Sequence, residues 1–395
     1  MTSGSELRVV IAGGGTGGHL YPGIAVAREL VRRLPTARVS FAGTARGIES
    51  RVVPREGFSL DVIRSGGLKG KSAAERARGL ALLPVSAIDA WRVLSRRRPQ
   101  LVIGVGGYSS GPVVLAAALR GIPTMLLEQN AAPGLTNRWL GRIVDAAAVS
   151  FESTAAAFGQ KAFVSGNPVR AEFLEEVRRV QEDQSVPRVQ HVREASGGAG
   201  AVQVLVFGGS QGAHAINVAM VEAAPELAAG RPRLRLTHQT GERDVEMVRA
   251  AYRAAGLEGE VEPFLYDMGT RLRTADLAVC RAGATTLAEL TAAAKPALLV
   301  PLPTAADDHQ RRNAEALQAA GAADVLLQPA MTGAELARRV LALAGDQDRR
   351  ARMAAAARAL ARPDAAKAIV DRALDLLGME SRQGPAGEEP GRRAG

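Results

Sequence analysis

The chain has 395 residues, 47% of them hydrophobic, and a formal net charge of +10. At roughly 150 residues per domain this length implies two globular domains, and a lone cysteine, Cys280, excludes an intrachain disulfide and a Cys-based zinc site, which fits a reducing compartment. No run of about 18 apolar residues occurs and MTSGSELRVV is not a secretion signal, so a soluble or peripheral, cytoplasmic protein with an affinity for anions is expected.

LRVVIA, from Leu7, is apolar on both faces, as in a buried parallel strand. IAGGGTGGHLYPG follows from Ile11, with five glycines, Thr16 and His19 in seven positions, and leads into YPGIAVARELVRRL, where Ile24, Ala27 and Leu30 share one helical face. Further strands are predicted at RVSFAG (Arg38), LVIGVGG (Leu101), PTMLLEQN (Pro123), AAAVS (Ala146) and KAFVSGN (Lys161), making a six-stranded parallel sheet with crossover helices. VQVLVFGGSQGAHAINVAMVEAA then restarts the strand, glycine turn and helix at Val202, with Gly208 lying 195 positions after Gly13. The expected organisation is α/β: a Rossmann-like domain over 1–166, a linker with a polar insertion over 167–201, a second such domain over 202–362, a helix over 363–378 crossing back onto the first, and a disordered tail over 379–395.

Glycines at a helix N-terminus let backbone amides approach an anion, so phosphate is the expected guest of the first loop. Gly13-x-Gly15-x-x-Gly18 also satisfies a dinucleotide fingerprint, but the second strand leads to Thr44 and Arg46 instead of a ribose-binding acid, with Glu49 late and in helical context. CRAGATTLAEL supplies another anion cradle at Gly283 to Thr286, with Glu289 one turn on, placed either for sugar hydroxyls or as a solvated or capping carboxylate. PTAADDHQRRNAEAL adds Asp307, Asp308, His309, Gln310 and Asn313, groups that bond to hydroxyls.

In order, GGTGGHLYPG, GVGGYSSGP, EQNAAPGLTNRWL, SGNPVR, GGSQGA, CRAGATTLAEL and DDHQRRNA closely resemble the MurG family, N-acetylglucosaminyltransferases that convert lipid I to lipid II in peptidoglycan synthesis. The resemblance runs from Leu7 to about Leu377 and leaves the 181–200 insertion and the tail without a motif. It implies a GT-B fold whose second domain binds UDP-N-acetylglucosamine and whose first domain faces the undecaprenyl-linked acceptor, N-acetylglucosamine passing with inversion to its muramyl C4 hydroxyl. Carried over, Ser210, Gln211 and Ala284 to Thr286, with Thr285 between them, meet the diphosphate, the Leu265 backbone the uracil, Glu289 the ribose, and Gln310 and Asn130 the donor sugar. Thr16, Gly17 and Gly18 close over the donor or hold the acceptor pyrophosphate, Tyr108 joins the binding set, and Arg170 neutralises phosphate.

Transfer needs a base for the acceptor hydroxyl and a stabiliser for departing UDP. His19 is the first candidate base, with phosphate binding or helix capping as its other readings, and Glu128 in LLEQN is the rival. No cofactor or obligatory metal is expected, the one Asp-x-Asp string being Asp346 to Asp348, in a polar loop away from the nucleotide motifs. The stretch from Gly66 to Gln100 combines Lys69, Lys71, Arg76, Arg78, Arg92 and Arg96 to Arg98 with Leu80, Leu82, Leu83, Ile88 and Trp91. That mixture reads as an anionic membrane surface on the cytoplasmic side, or as helices with core-facing apolar positions. Nucleic acid is not expected as a partner; other cell-wall synthesis proteins are. A glycolipid synthase, a UDP-sugar epimerase and a basic binding protein without catalysis are the competing functions.

Overall fold

A computed structural model describes residues 6–66, 82–170, 173–175, 200–209 and 213–379. The first domain is a parallel sheet of β1 (Arg8–Gly13), β2 (Arg38–Gly43), β3 (Ser59–Val62), β4 (Leu101–Gly106), β5 (Thr124–Glu128), β6 (Ala146–Val149) and β7 (Ala162–Val164). Their order is β3-β2-β1-β4-β5-β6-β7. Between them run α1 (Gly17–Arg33), α2 (Glu49–Arg55), α3 (Leu83–Arg97), α4 (Ser110–Leu119), α5 (Leu135–Leu140) and α6 (Glu152–Ala155). Val9 and Ile11 pack on one face of the sheet, Val10 and Ala12 on the other, because successive strand residues point to opposite sides and both sides are covered by helices. The six predicted strands are present, and β3 is a seventh. It escaped the pattern because it is a four-residue edge strand with Ser59 and Val62 outside and only Asp61 buried, so it has no apolar run.

The second domain repeats the plan with β8 (Val202–Phe207), β9 (Leu234–Gln239), β10 (Gly259–Glu262), β11 (Leu277–Cys280), β12 (Ala297–Leu299) and β13 (Ala323–Val325), ordered β10-β9-β8-β11-β12-β13. Its helices are α7 (His214–Ala229), α8 (Val245–Ala255), α9 (Met268–Thr274), α10 (Ala284–Ala292), α11 (His309–Ala319), α12 (Gly333–Gly345) and α13 (Gln347–Leu360). Val204 and Val206 join one core, Leu205 and Phe207 the other. In each sheet the direction of strand addition reverses between the first strand and its fourth-strand neighbour, where open α/β sheets bind ligands at the carboxyl ends.

The chain crosses between domains twice, at one place. Gly166 has φ of 81°, and a Cβ there would lie 2.3 Å from that of Arg362, so the first crossing requires glycine. Beyond it Val169 and Phe173 are buried in the second domain's core. On the return, α13 stops before Pro363, which disfavours helix in the residue ahead of it. The chain then forms α14 (Ala365–Leu376), whose Ile369, Val370, Ala373 and Leu374 are buried in the first domain's core, while Arg33 of α1 pairs with Asp371. The 181–200 insertion lies outside the described residues except Gly200, as does the tail beyond Met379.

Candidate active site

Two glycine loops meet above β1 and β4. A Cβ on Gly13 would lie 2.2 Å from the Gly106 carbonyl oxygen, and one on Gly107 2.5 Å from that of Gly14, so backbone packs on backbone. The Gly14 amide donates to the Gly106 carbonyl at 3.2 Å. Thr16 opens α1 without a side-chain cap, and no acid stands in the first turn. The amides of His19 and Leu20 donate to the Thr16 carbonyl; those of Gly17 and Gly18 have no partner among the described residues. These unpaired amides, at the positive end of a 17-residue helix, form an anion seat.

His19, half-buried, stands beside this seat, its Nδ1 3.2 Å from Gln129 Oε1. Gln129 donates through Nε2 to the Val105 carbonyl at 3.1 Å. A carbonyl can only accept, so the amide of Gln129 must present its oxygen to His19, and Nδ1 must then carry the hydrogen. In the neutral ring Nε2 is left with its lone pair. This tautomer suits a proton acceptor, and its orienting residue, 110 positions away, gave no sign in the local sequence.

Glu49 lies beneath the loop, fully buried at the start of α2. Its carboxylate accepts from the Gly15 amide at 2.8 Å, the Thr44 amide at 2.8 Å and the Thr44 hydroxyl at 2.7 Å. Burial pushes its pKa up, but the Gly15 amide and the two Thr44 donors outweigh this and hold it below the usual carboxylate range. The acid that failed to match a ribose binder by position thus pins the first glycine loop.

Glu128, at the end of β5, is equally committed. Its Oε1 accepts from the Asn130 amide at 3.1 Å and Asn130 Nδ2 at 3.2 Å, and its Oε2 from the Gly134 amide at 3.0 Å and Asn137 Nδ2 at 2.9 Å. Four donors fold the 128–137 loop around one carboxylate. Asn130 continues across the cleft: its Oδ1 accepts from Asn313 Nδ2 at 3.1 Å, and the Ala131 amide donates to Asn313 Oδ1 at 2.7 Å. Asn313 also donates to the Ala282 carbonyl at 3.2 Å. Fully buried, it is an interdomain tie, a correction to its expected place among hydroxyl-binding groups.

On the facing domain, Gly283 precedes α10 without a side-chain cap, and the amides of Ala284, Thr285 and Thr286 have no partner among the described residues. Thr285 Oγ1 is buried and unpartnered there. Glu289, one turn on and 6% exposed, accepts from Arg170 Nη2 at 3.0 Å. Burial raises its pKa, and the Arg170 charge and hydrogen bond oppose the rise. Arg170 also lies 5.9 Å from the Tyr21 ring of α1, so it spans both domains. Gln310 Oε1 accepts from the Ala282 amide at 3.3 Å and the Leu302 amide at 3.0 Å, which fixes its Nε2 as the outward donor. The Leu265 amide donates to Gln239 Oε1 at 2.9 Å; its carbonyl is the group available to a pyrimidine N–H. Tyr108 is half exposed on the second glycine loop.

Ser210 and Gln211 lie outside the described residues. Asp346 of the Asp-x-Asp string caps α13, accepting from the Arg349 amide at 2.8 Å. His238 is no second base: burial pushes its pKa down to about 3, and Tyr252 and Asn217 occupy its two nitrogens.

Residues 9–149 match the glycosyltransferase family 28 N-terminal domain and residues 203–369 its C-terminal domain. With the two facing parallel sheets, this makes the chain a GT-B glycosyltransferase. The UDP-N-acetylglucosamine--N-acetylmuramyl-(pentapeptide) pyrophosphoryl-undecaprenol N-acetylglucosamine transferase of Anaeromyxobacter sp. (strain K) is 48% identical, the match covering 94% of this chain and 93% of that one. Its namesake in Anaeromyxobacter sp. (strain Fw109-5) is 49% identical over 97% of each. The crystal structure of Acinetobacter baumannii MurG superposes with a TM-score of 0.75 at 31% identity, covering 93% of this chain and 98% of that one. The chain belongs to the MurG family.

Proposed function

We propose that this chain transfers N-acetylglucosamine from UDP-N-acetylglucosamine to N-acetylmuramyl-(pentapeptide) pyrophosphoryl-undecaprenol, lipid I, forming lipid II for peptidoglycan. The observation that carries the reading is the pair of unpaired helix N-termini on facing domains with His19 beside one of them. The amides at Ala284 to Thr286 take the donor diphosphate and stabilise the charge that grows on departing UDP. Glu289 accepts from the ribose hydroxyls, the Leu265 carbonyl from the uracil, and Gln310 Nε2 donates to the sugar. Gly17 and Gly18 hold the acceptor pyrophosphate. His19 Nε2 removes the proton from the muramyl C4 hydroxyl as its oxygen attacks the anomeric carbon and the bond to UDP breaks with inversion. Arg170, released from Glu289 when the ribose arrives, turns its charge to phosphate. Purified protein given UDP-N-acetylglucosamine and a lipid I analogue should release UDP. Donor consumption without acceptor would instead mean epimerisation, and neither would mean a binding protein.

Glu289→Ala should weaken UDP binding by roughly 1.5 to 3 kcal/mol, the range for hydrogen bonds to a charged group, with the fold intact. The ionised carboxylate is the accepting form and its pKa is raised, so parent affinity should fall as pH drops through a value above the usual carboxylate range. Calorimetry of UDP binding checks both, and an unchanged affinity in the variant removes Glu289 from the ribose site.

The reading also puts the protein at the cytoplasmic membrane surface. Among the described residues no helix is long and apolar enough to cross a membrane. Lys69, Lys71, Arg76, Arg78 and Leu80 lie outside those residues. Arg96 and Arg97 are paired with Asp61, but Ile88 and Trp91 are half exposed, and Leu119, Trp139 and Ile143 extend the apolar area across the neighbouring helices α4 and α5 and the residues after them. Arg120 and Arg142 each stack 4.8 Å from a ring centroid, over Trp91 and Trp139. Apolar rings flanked by cations suit an anionic interface. Replacing Arg92, Arg120 and Arg142 with Gln should weaken binding to anionic vesicles by about 1 kcal/mol per charge, leaving turnover of a short-chain acceptor unchanged. Vesicle co-sedimentation equal to the parent's would take this face out of the membrane contact.

A further inference from the structure

One buried cation of the second domain takes no part in the chemistry above. Arg281 is the first residue after β11, two positions before Gly283 and the start of α10, and it is only 9% exposed. Its Nη1 donates to the carbonyls of Val300 at 3.0 Å and Pro301 at 3.3 Å, and its Nη2 donates to Gln328 Oε1 at 2.9 Å. Val300 and Pro301 follow β12, and Gln328 lies just beyond β13. Since β11, β12 and β13 are neighbours in the sheet, one guanidinium ties together the three chain segments that leave its carboxyl end side by side. All of these partners are neutral, and no carboxylate pairs with Arg281 among the described residues. A buried charge is ordinarily met by an opposite one. Here the useful property is the planar fan of donors, which reaches three oxygens in different directions as a lysine ammonium or an amide does not.

The tied segments are the ones that hold Gln310. Its Oε1 accepts from the amide of Ala282, next to Arg281, and from that of Leu302, next to Pro301. A glutamine amide can present either its oxygen or its nitrogen to a ligand, and the groups that hold the other end decide which. Both amides reach Oε1 only while the ends of β11 and β12 keep their present separation, and Arg281 sets that separation by bonding across it. We infer that Arg281 is a positioning residue for the donor sugar: by clamping the ends of β11, β12 and β13 it holds the Ala282 and Leu302 amides on Gln310 Oε1, and so keeps Gln310 Nε2 directed at N-acetylglucosamine. The inference rests on the donor site proposed above. It assigns Arg281 to the sugar and not to the nucleotide, because Leu265 is held by Gln239 and Glu289 by Arg170.

Calorimetry of UDP and of UDP-N-acetylglucosamine binding to the full-length protein tests this through a double-mutant cycle. Gln310→Ala should weaken UDP-N-acetylglucosamine by about tenfold, the size of one hydrogen bond, and leave UDP unchanged. Arg281→Lys keeps the charge and loses the fan, so it should show most of the same loss, again with UDP unchanged. The double variant should bind no more weakly than Gln310→Ala alone, because the clamp acts only through that side chain. Gln328→Leu removes one arm of the clamp and should give a smaller loss of the same kind; it decides the matter if Arg281→Lys does not fold. Losses that add in the double variant, equal weakening of UDP and the UDP-sugar in the clamp variants, or parent affinity for both ligands in them would each overturn the role. The two readings fail differently. If Gln310→Ala leaves the UDP-sugar unaffected, the donor-site reading of Gln310 fails and takes the inference with it, whereas a loss in Gln310→Ala that Arg281→Lys and Gln328→Leu do not share sinks the inference alone.

Discussion

Replacing His19 with alanine is expected to lower turnover by roughly 100-fold or more, the usual contribution of a positioned proton acceptor, while donor affinity stays close to the parent's. In the neutral imidazole the Gln129 bridge, anchored on the Val105 carbonyl, keeps the hydrogen on Nδ1 and the lone pair on Nε2, the nitrogen that the proposed mechanism uses. The acidic limb of the turnover profile should disappear with the imidazole. Glu128→Gln makes the contrast: its carboxylate already accepts four hydrogen bonds, so its loss should disturb the 128–137 loop and raise substrate KM values while the acidic limb survives. If His19→Ala keeps that limb and loses mainly acceptor affinity, His19 is an anion ligand and the base lies elsewhere.

Glu49→Ala should destabilise the first domain by roughly 3 kcal/mol, because it removes a buried carboxylate that accepts from the Gly15 amide and from the Thr44 amide and hydroxyl. Acceptor KM should rise at the same time, since Gly15 adjoins the turn that presents the Gly17 and Gly18 amides. The sign with pH follows from the depressed pKa: the native carboxylate contributes fully above the usual carboxylate range, and its contribution is lost as pH falls through the lower native value. Urea unfolding of parent and variant should therefore differ most near neutrality and converge in acid. Glu49→Gln, which keeps one accepting oxygen and turns a donor toward the others, should fall between. A stability gap that is absent at neutrality, or that does not close in acid, would remove Glu49 as the loop's anchor.

Much of this was legible along the chain because parallel strands covered on both faces are continuous apolar runs, and Val9 to Ala12 or Val204 to Phe207 cannot be read otherwise. The glycine turns were equally plain, since few other local sequences let backbone approach backbone as Gly13 does Gly106. What stayed hidden is pairing over long separation. Nothing in ARGIES says that Glu49 will fold under Gly15, and nothing near Asn313 says that it will reach Asn130 across the cleft instead of facing a sugar. Charge was misleading for a related reason: Arg96 and Arg97 read as membrane cations until β3, too short to be seen as a strand, supplied Asp61 as their partner.

The return of α14 to the first domain has a consequence for biosynthesis. A ribosome delivers β1 to β7 well before it delivers Ile369, Val370, Ala373 and Leu374, the side chains that complete the core beside α1. Until then the nascent first domain carries an uncovered apolar strip on α1, so it cannot reach its final packing as the earlier of two independent modules. The second domain, whose cores draw on residues up to Ala357, is the one able to finish first, and its completion brings α14 to the gap it fills.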